Sequence, residues 1–244
     1  MKSLPRALLL DLDDTILNFS AIGDKCWESL CISFAPRLGN ISPHELLSAI
    51  NQTRDWFWSD PDRHRQGRLD MTNARRRIVR MAFEQLQLND YVISDELADS
   101  FSTMREELVQ PFPGALETLQ AFQCQGIHMG LVTNGMASLQ RSKIRRFNLE
   151  RYFDVILIES EFGIGKPDKR AFLYALERLG ATPAEAWMIG NDLEYDIRPA
   201  QELGIATVWV DYAKTDLPPH SPIVPSWTIS SLAELAAHLP QGPL

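Results

Sequence analysis

At 244 residues, with 45% hydrophobic and 23% charged side chains, the chain has the balance of a soluble globular protein, long enough for a core that carries an inserted unit. A formal charge of -8 excludes the basic excess of a general nucleic-acid binder, but permits a small anionic ligand in a locally positive site. Cys26, Cys31 and Cys124 form no CxxC pair and leave an odd thiol in any pairing scheme, and no apolar run reaches the length of a membrane span; reduced thiols, no membrane partner and a cytoplasmic location are expected.

Taken in chain order, LLLDLDDTIL at residues 8–17 reads as a buried strand that ends in Asp11, Asp13 and Asp14. Crowded carboxylates repel, and burying them is costly unless something compensates. From residue 19 to 110 no strand-like run occurs, and helix formers, aromatics and arginines dominate; this predicts a helical insertion between core segments 1–18 and 111–244. Its stretch DWFWSDPDRHRQGRLDMTNARRRIVR, residues 55–80, offers Arg63, Arg65 and Arg68 with His64 to an anionic substrate, and Trp56 or Trp58 to a ring. Arg75, Arg76, Arg77 and Arg80 fit a solvated helix face. PFPGALETL marks the return to the core, with Pro113 suited to a helix start.

Further strands are expected at 126–135, 153–160, 186–192 and 206–212, with helices at 114–125, 136–147, 169–179 and 194–203; Gly180 and Gly204 close two of these helices. A proline-rich surface connection at 217–226 leads to a short strand and final helix at 228–239. This alternation predicts an α/β protein, a Rossmann-like parallel sheet with helices on both faces and an inserted α-helical cap domain.

Sites in such sheets gather at the carboxyl ends of the strands. Here the ends carry Asp11 and Asp13, two apart and so on one side of a strand; Thr133 and Asn134; Lys166 in the loop after the third strand; and Asn191 with Asp192. Singly, each has an ordinary alternative: DDT or GND as a capping turn, TNG as a turn, a lysine before proline at the surface.

In this order, however, the set resembles the haloacid dehalogenase superfamily of phosphohydrolases over essentially the whole chain. DLDDT matches that family's first motif, DxDxT, LVTNG its second, Lys166 in GKPDKRAF its third, and MIGNDLEYDI resembles its acidic fourth. The insertion is similar to the cap of the superfamily's first subclass.

The resemblance implies a Mg²⁺-dependent phosphatase that hydrolyses a small phosphomonoester, a sugar phosphate or nucleoside monophosphate, through an aspartyl phosphate. Asp11 would be the nucleophile, and Asp13 the acid and then the base. Thr15 would support the loop; Thr133 and the Asn134 amide would hold phosphoryl oxygens with Lys166, which also stabilises the developing charge. Asp11, Asp13 and Asp192 would hold the metal, Mg²⁺ favouring a few carboxylates plus water and phosphate. Asn191 stands where many relatives have Asp and is a neutral ligand or a supporting group; Asp196, one turn beyond Asp192, supports by hydrogen bonding. Phosphomutase and dehalogenase are the alternatives within the superfamily. A non-catalytic binding module is the alternative outside it, and the retained Asp11, Asp13, Thr133 and Lys166 count against that.

Overall fold

The switch from strand–helix alternation to uninterrupted helix is also a boundary in space. The computed structural model, which describes residues 4–236, separates into a helical unit, Phe19–Val109, and a sheet unit made of the described residues on either side.

The helical unit contains α1 (Ser20–Phe34), α2 (Pro43–Ser59), α3 (Pro61–Leu69), α4 (Met71–Gln85) and α5 (Tyr91–Leu108). Local chemistry starts four of them. Ser42 and Glu45 form a reciprocal capping box on α2, and Asp60, Asp70 and Asp90 accept backbone N–H bonds at the heads of α3, α4 and α5. Trp27, Leu30, Leu46, Ile50, Val79, Phe83 and Leu97 close a shared core, in which Trp27 stacks on Phe101 with ring centroids 3.9 Å apart. On the outer face Arg76 and Arg80 pair with Asp99 and Asp95 of α5 at 2.5 Å each. No helix among the described residues is long and apolar enough to cross a membrane.

In the sheet unit the strands are β1 (Ala7–Leu10), β2 (Leu17–Asn18), β3 (Gln110–Pro111), β4 (His128–Thr133), β5 (Val155–Ile158), β6 (Ala186–Gly190), β7 (Ala206–Val210) and β8 (Trp227–Ile229). Six of them form a sheet in the order β5-β4-β1-β6-β7-β8, with every pairing parallel. β2 and β3 pair antiparallel, so the chain leaves this unit and re-enters it along adjacent strands. The helices are α6 (Ala115–Cys124), α7 (Ala137–Arg146), α8 (Glu159–Phe162), α9 (Lys169–Leu179), α10 (Arg198–Gln201) and α11 (Ala233–Ala236). Phe172 and Leu176 of α9 pack on Leu9, Val132 and Met188, while Leu8 and Leu10, pointing the other way, are equally buried. Both faces of the sheet are covered, which is why its strands read as continuous apolar runs.

Two local expectations shift. α6 begins two residues beyond Pro113, because Gly114 takes a left-handed conformation (φ 77°) as its N-cap. The helix expected at 194–203 is divided: Leu193–Ile197 winds as a wide π turn before α10, and Pro199, lacking an N–H, cannot continue the preceding ladder. The expected final helix is described only over Ala233–Ala236; its remaining part, to residue 239, lies outside the described residues.

Candidate active site

β1 lies at the centre of the sheet, with β4 on one side and β6 on the other. Chain connections diverge there, so the ends of these three strands border a crevice at the topological switch point. Asp11 follows β1 directly, its N–H bonded to the Ile189 carbonyl at 3.0 Å; Thr133 ends β4, and Asn191 and Asp192 follow β6.

Asp11 is 7% exposed. Lys166 Nζ donates to its Oδ1 at 2.5 Å and the Thr15 hydroxyl to its Oδ2 at 3.2 Å. The same ammonium donates to Asp196 Oδ1 at 2.6 Å, so one buried cation lies between two buried carboxylates. Burial pushes the Asp11 carboxyl up to about 7; Lys166 opposes this and Asp196 adds to it. Burial likewise raises Asp196. For Lys166 burial acts downward, but Asp11 and Asp196 more than offset it and hold its pKa above the ordinary lysine value.

Asp13 takes a different cation. The strand ends at Leu10, so strict strand alternation no longer governs its direction. Lys143 Nζ of α7 donates to both of its oxygens at 2.6 Å, and Gln140 Nε2 to Oδ2 at 3.0 Å. Gln140 also donates to the Thr133 hydroxyl at 2.6 Å and to the Asn134 carbonyl at 3.0 Å, tying the first and second motifs together. The Asn134 side chain clamps the lysine loop reciprocally: Nδ2 donates to the Lys166 carbonyl at 2.7 Å, and Oδ1 accepts from the Lys166 N–H at 2.8 Å.

Asp192 caps the π turn, its Oδ1 accepting from the N–H groups of Glu194 and Tyr195 at 2.8 and 2.9 Å, while its own N–H donates to Asp196 Oδ2 at 3.0 Å. Asn191 Oδ1 lies 3.5 Å from the Thr15 hydroxyl, and the Asn191 carbonyl accepts from Trp209 Nε1 at 2.8 Å. Gly190 is required here, since a Cβ at that position would overlap the Asp196 carboxylate.

The structure thus gathers Asp11, Asp13, Thr133, Asn134, Lys166, Asn191, Asp192 and Asp196 beyond the ends of four adjoining strands, β5, β4, β1 and β6. The sequence reading missed Gln140 and Lys143. Their signal was present: with buried Ile144 they fall at i, i+3 and i+4, placing two polar groups on the inward face of α7. In the helical unit, Arg63 folds back, Nη2 donating to the Trp56 carbonyl at 2.6 Å with its guanidinium 3.9 Å above the Trp56 ring. Arg65 is exposed, while Arg68 donates to His64 Nδ1 at 3.1 Å. Arg75 departs from the solvated-face expectation: it is 6% exposed.

Among the described residues no three His, Cys, Asp or Glu side chains are gathered around a common point for a cation. Mg²⁺ does not require such a cluster, because it binds through one or two carboxylates with water and other oxygens completing the octahedron. Asp11, Asn191, Asp192 and the Asp13 carbonyl are all hard oxygen donors, and Asp11 with Asp196 sets two buried carboxylates against one ammonium. This donor set suits a hard divalent cation.

The chain belongs to the haloacid dehalogenase-like hydrolases, whose family model matches residues 8–210. Among curated proteins it is 27% identical to the glyceraldehyde 3-phosphate phosphatase of Methanocaldococcus jannaschii, over 94% of this chain and 95% of that one. It is 36% identical to the pyrimidine 5'-nucleotidase YjjG of Escherichia coli over 57% of this chain and 61% of the relative. Among solved structures, the putative hydrolase YfnB of Bacillus subtilis, bound to magnesium, superposes with a TM-score of 0.73 at 24% identity, over 97% of this chain and 99% of that one, and shows the shared fold.

Proposed function

We propose that the chain is a Mg²⁺-dependent phosphatase that hydrolyses a small phosphomonoester, a sugar phosphate or nucleoside monophosphate, through a phosphorylated Asp11. The observation that carries this reading is the buried Asp11 carboxylate at the end of β1 with the Lys166 ammonium 2.5 Å away. The activities of the archaeal and E. coli relatives support a small phosphorylated substrate.

In the first step an Asp11 oxygen attacks phosphorus and the ester P–O bond breaks. One Asp13 oxygen takes the proton of the substrate's phosphate monoanion, turns from Gln140 to the leaving oxygen and gives it that proton, while Lys143 holds the other oxygen. Lys166, the Thr133 hydroxyl and the Asn134 N–H neutralise the phosphoryl oxygens, which is most of what phosphoryl transfer demands. In the second step Asp13 takes a proton from water, the water oxygen attacks phosphorus, and the bond to Asp11 breaks to restore the carboxylate. Asp11, the Asp13 carbonyl and Asp192, with Asn191 as the neutral member, would hold Mg²⁺, which supplies charge neutralisation to the phosphate. Asp196 keeps Lys166 in place. The helical unit acts as a cap that restricts access to small substrates. A dehalogenase would need no acid from Asp13, because a halide departs unprotonated. The unbonded Cys26, Cys31 and Cys124 support a cytoplasmic location.

Hydrolysis of p-nitrophenyl phosphate should stop with chelator and return with Mg²⁺, and acid-quenched enzyme should carry the acyl phosphate on Asp11. Full activity in chelated buffer, or a label on Asp13, overturns the assignment.

A further inference from the structure

Gln140 closes the first turn of α7, its N–H bonded to the Met136 carbonyl at 3.0 Å, and its side chain is buried. The turn is held at its head, where the Ser160 hydroxyl accepts from the Ala137 N–H at 2.7 Å, and by the fully buried Ile144 one turn further on. The side-chain nitrogen stands among three oxygens: Thr133 Oγ1 at 2.6 Å, Asp13 Oδ2 at 3.0 Å and the Asn134 carbonyl at 3.0 Å. These neighbours settle which way round the amide lies. An amide oxygen in the place of Nε2 would face a carboxylate and a carbonyl, neither of which has a proton to give.

That orientation dictates the direction of a second group. Thr133, 1% exposed, accepts from Gln140 through its hydroxyl oxygen, and an amide nitrogen takes no proton in return. The hydroxyl proton therefore points away from Gln140, and no acceptor among the described residues receives it. A buried polar proton without an acceptor is costly, and Thr133 ends β4 beside the crevice, where an oxygen of a bound anion would accept it. By donating to Asp13 and to the Asn134 carbonyl, Gln140 also occupies two acceptors that would otherwise compete for that proton. Its NH₂ group has one proton fewer than it has acceptors. When Asp13 turns to a leaving oxygen, the amide still keeps one proton for Thr133 and one for Asn134.

From this arrangement we infer that Gln140 is a positioning residue: it aims the Thr133 hydroxyl proton at a phosphoryl oxygen, and holds that aim after Asp13 has moved. This role rests on the reading of the crevice as a phosphoryl site, and adds to it the group that gives Thr133 its direction. The gain is preorganisation, since the donor is already turned towards the position that the anion takes.

The test is a double-mutant cycle on the full chain, with inorganic phosphate as the ligand, Mg²⁺ present and binding read by calorimetry. Gln140→Met and Thr133→Val should each raise Kd about tenfold, the weight of a hydrogen bond to a charged group. The double variant should also be about tenfold weaker than the parent, not about a hundredfold, because no hydroxyl is left to aim. Thr133→Ser, which keeps the hydroxyl, should restore the full dependence on Gln140. If Gln140→Met does not fold, the isosteric Gln140→Glu takes its place. Its carboxylate draws the hydroxyl proton to itself, so its penalty should be about tenfold greater in the parent than in Thr133→Val. Additive losses, or parent-like binding by the Gln140 variants, overturn the role, as does a chain that binds no phosphate. Binding needs no turnover, so a chain that shows this coupling but hydrolyses no p-nitrophenyl phosphate refutes the proposed activity and leaves the role of Gln140 standing. Hydrolysis with phosphate binding indifferent to Gln140 does the reverse.

Discussion

Asp11, the proposed nucleophile, occupies a position that opposes stability. Buried beside Asp196, its carboxyl is raised to about 7 in the fold. An unfolded aspartate titrates near pH 4. Between those values the folded chain binds more protons than the unfolded one, so this group's contribution to stability falls as pH rises through the window; the penalty is complete above about 7. Asp11→Asn, measured in chelator, should therefore raise Tm above that of the parent at pH 8, with the gain vanishing as pH falls towards about 4. Lys166 keeps Asp196 as its partner in the variant, so the lysine is not stranded. Thermal unfolding across pH checks this; a Tm lowered at pH 8 would show that the Asp11–Lys166 attraction outweighs burial. The same variant should lose turnover almost entirely, because an amide is a poor nucleophile.

Two short elements hold the geometry of the proposed site, and each supports a prediction. α7 presents Gln140 and Lys143 from one face and holds Asp13 with both. Lys143→Met should lower kcat on the order of 10-fold to 100-fold with little change in KM, a part of the 10²–10⁴ that acid–base catalysis supplies. Steady-state kinetics on p-nitrophenyl phosphate measures the split, and an unchanged kcat would show that Asp13 needs no such support. The second element is the turn after β6. Gly190→Ala places a methyl against the Asp196 carboxylate, which is fixed by Lys166 and by the Asp192 N–H. Overpacking there should cost about 1–3 kcal/mol in denaturant unfolding and reduce activity through displaced Lys166.

At the scale of the molecule, the helical unit packs a hydrophobic core around Phe83 and Trp27, and the sheet unit packs another around Phe172 and Leu9. Phe83 is fully buried among α1, α2, α4 and α5 side chains. Phe83→Ala should destabilise its unit by about 3–5 kcal/mol, the lost transfer energy plus a cavity. Hydrogen exchange should show the loss of protection concentrated in those four helices. Uniform loss in β1, β4 and β6 as well would contradict separate cores.

Periodicity and composition determined a good deal unaided. Apolar runs 4 to 6 residues long, with helical stretches between them, specify a parallel sheet, because strands buried on both faces must be apolar throughout. That Asp11, Thr133 and Asp192 stand at strand ends, with Lys166 in the loop after the third core strand, was legible for the same reason: in such a sheet functional side chains gather at the carboxyl ends of the strands. Tertiary structure alone decided the partners. Asp13 and Lys143 lie 130 positions apart, and Lys166 and Asp196 lie 30 apart, so no local pattern pairs them. Likewise Arg75, Arg76, Arg77 and Arg80 read as one solvated face of α4, yet Arg76 and Arg80 meet aspartates of α5 at the surface while Arg75 is buried over the Phe101 ring. Neighbouring residues on a helix point about 100° apart, and what each one meets is set by the helix packed against it.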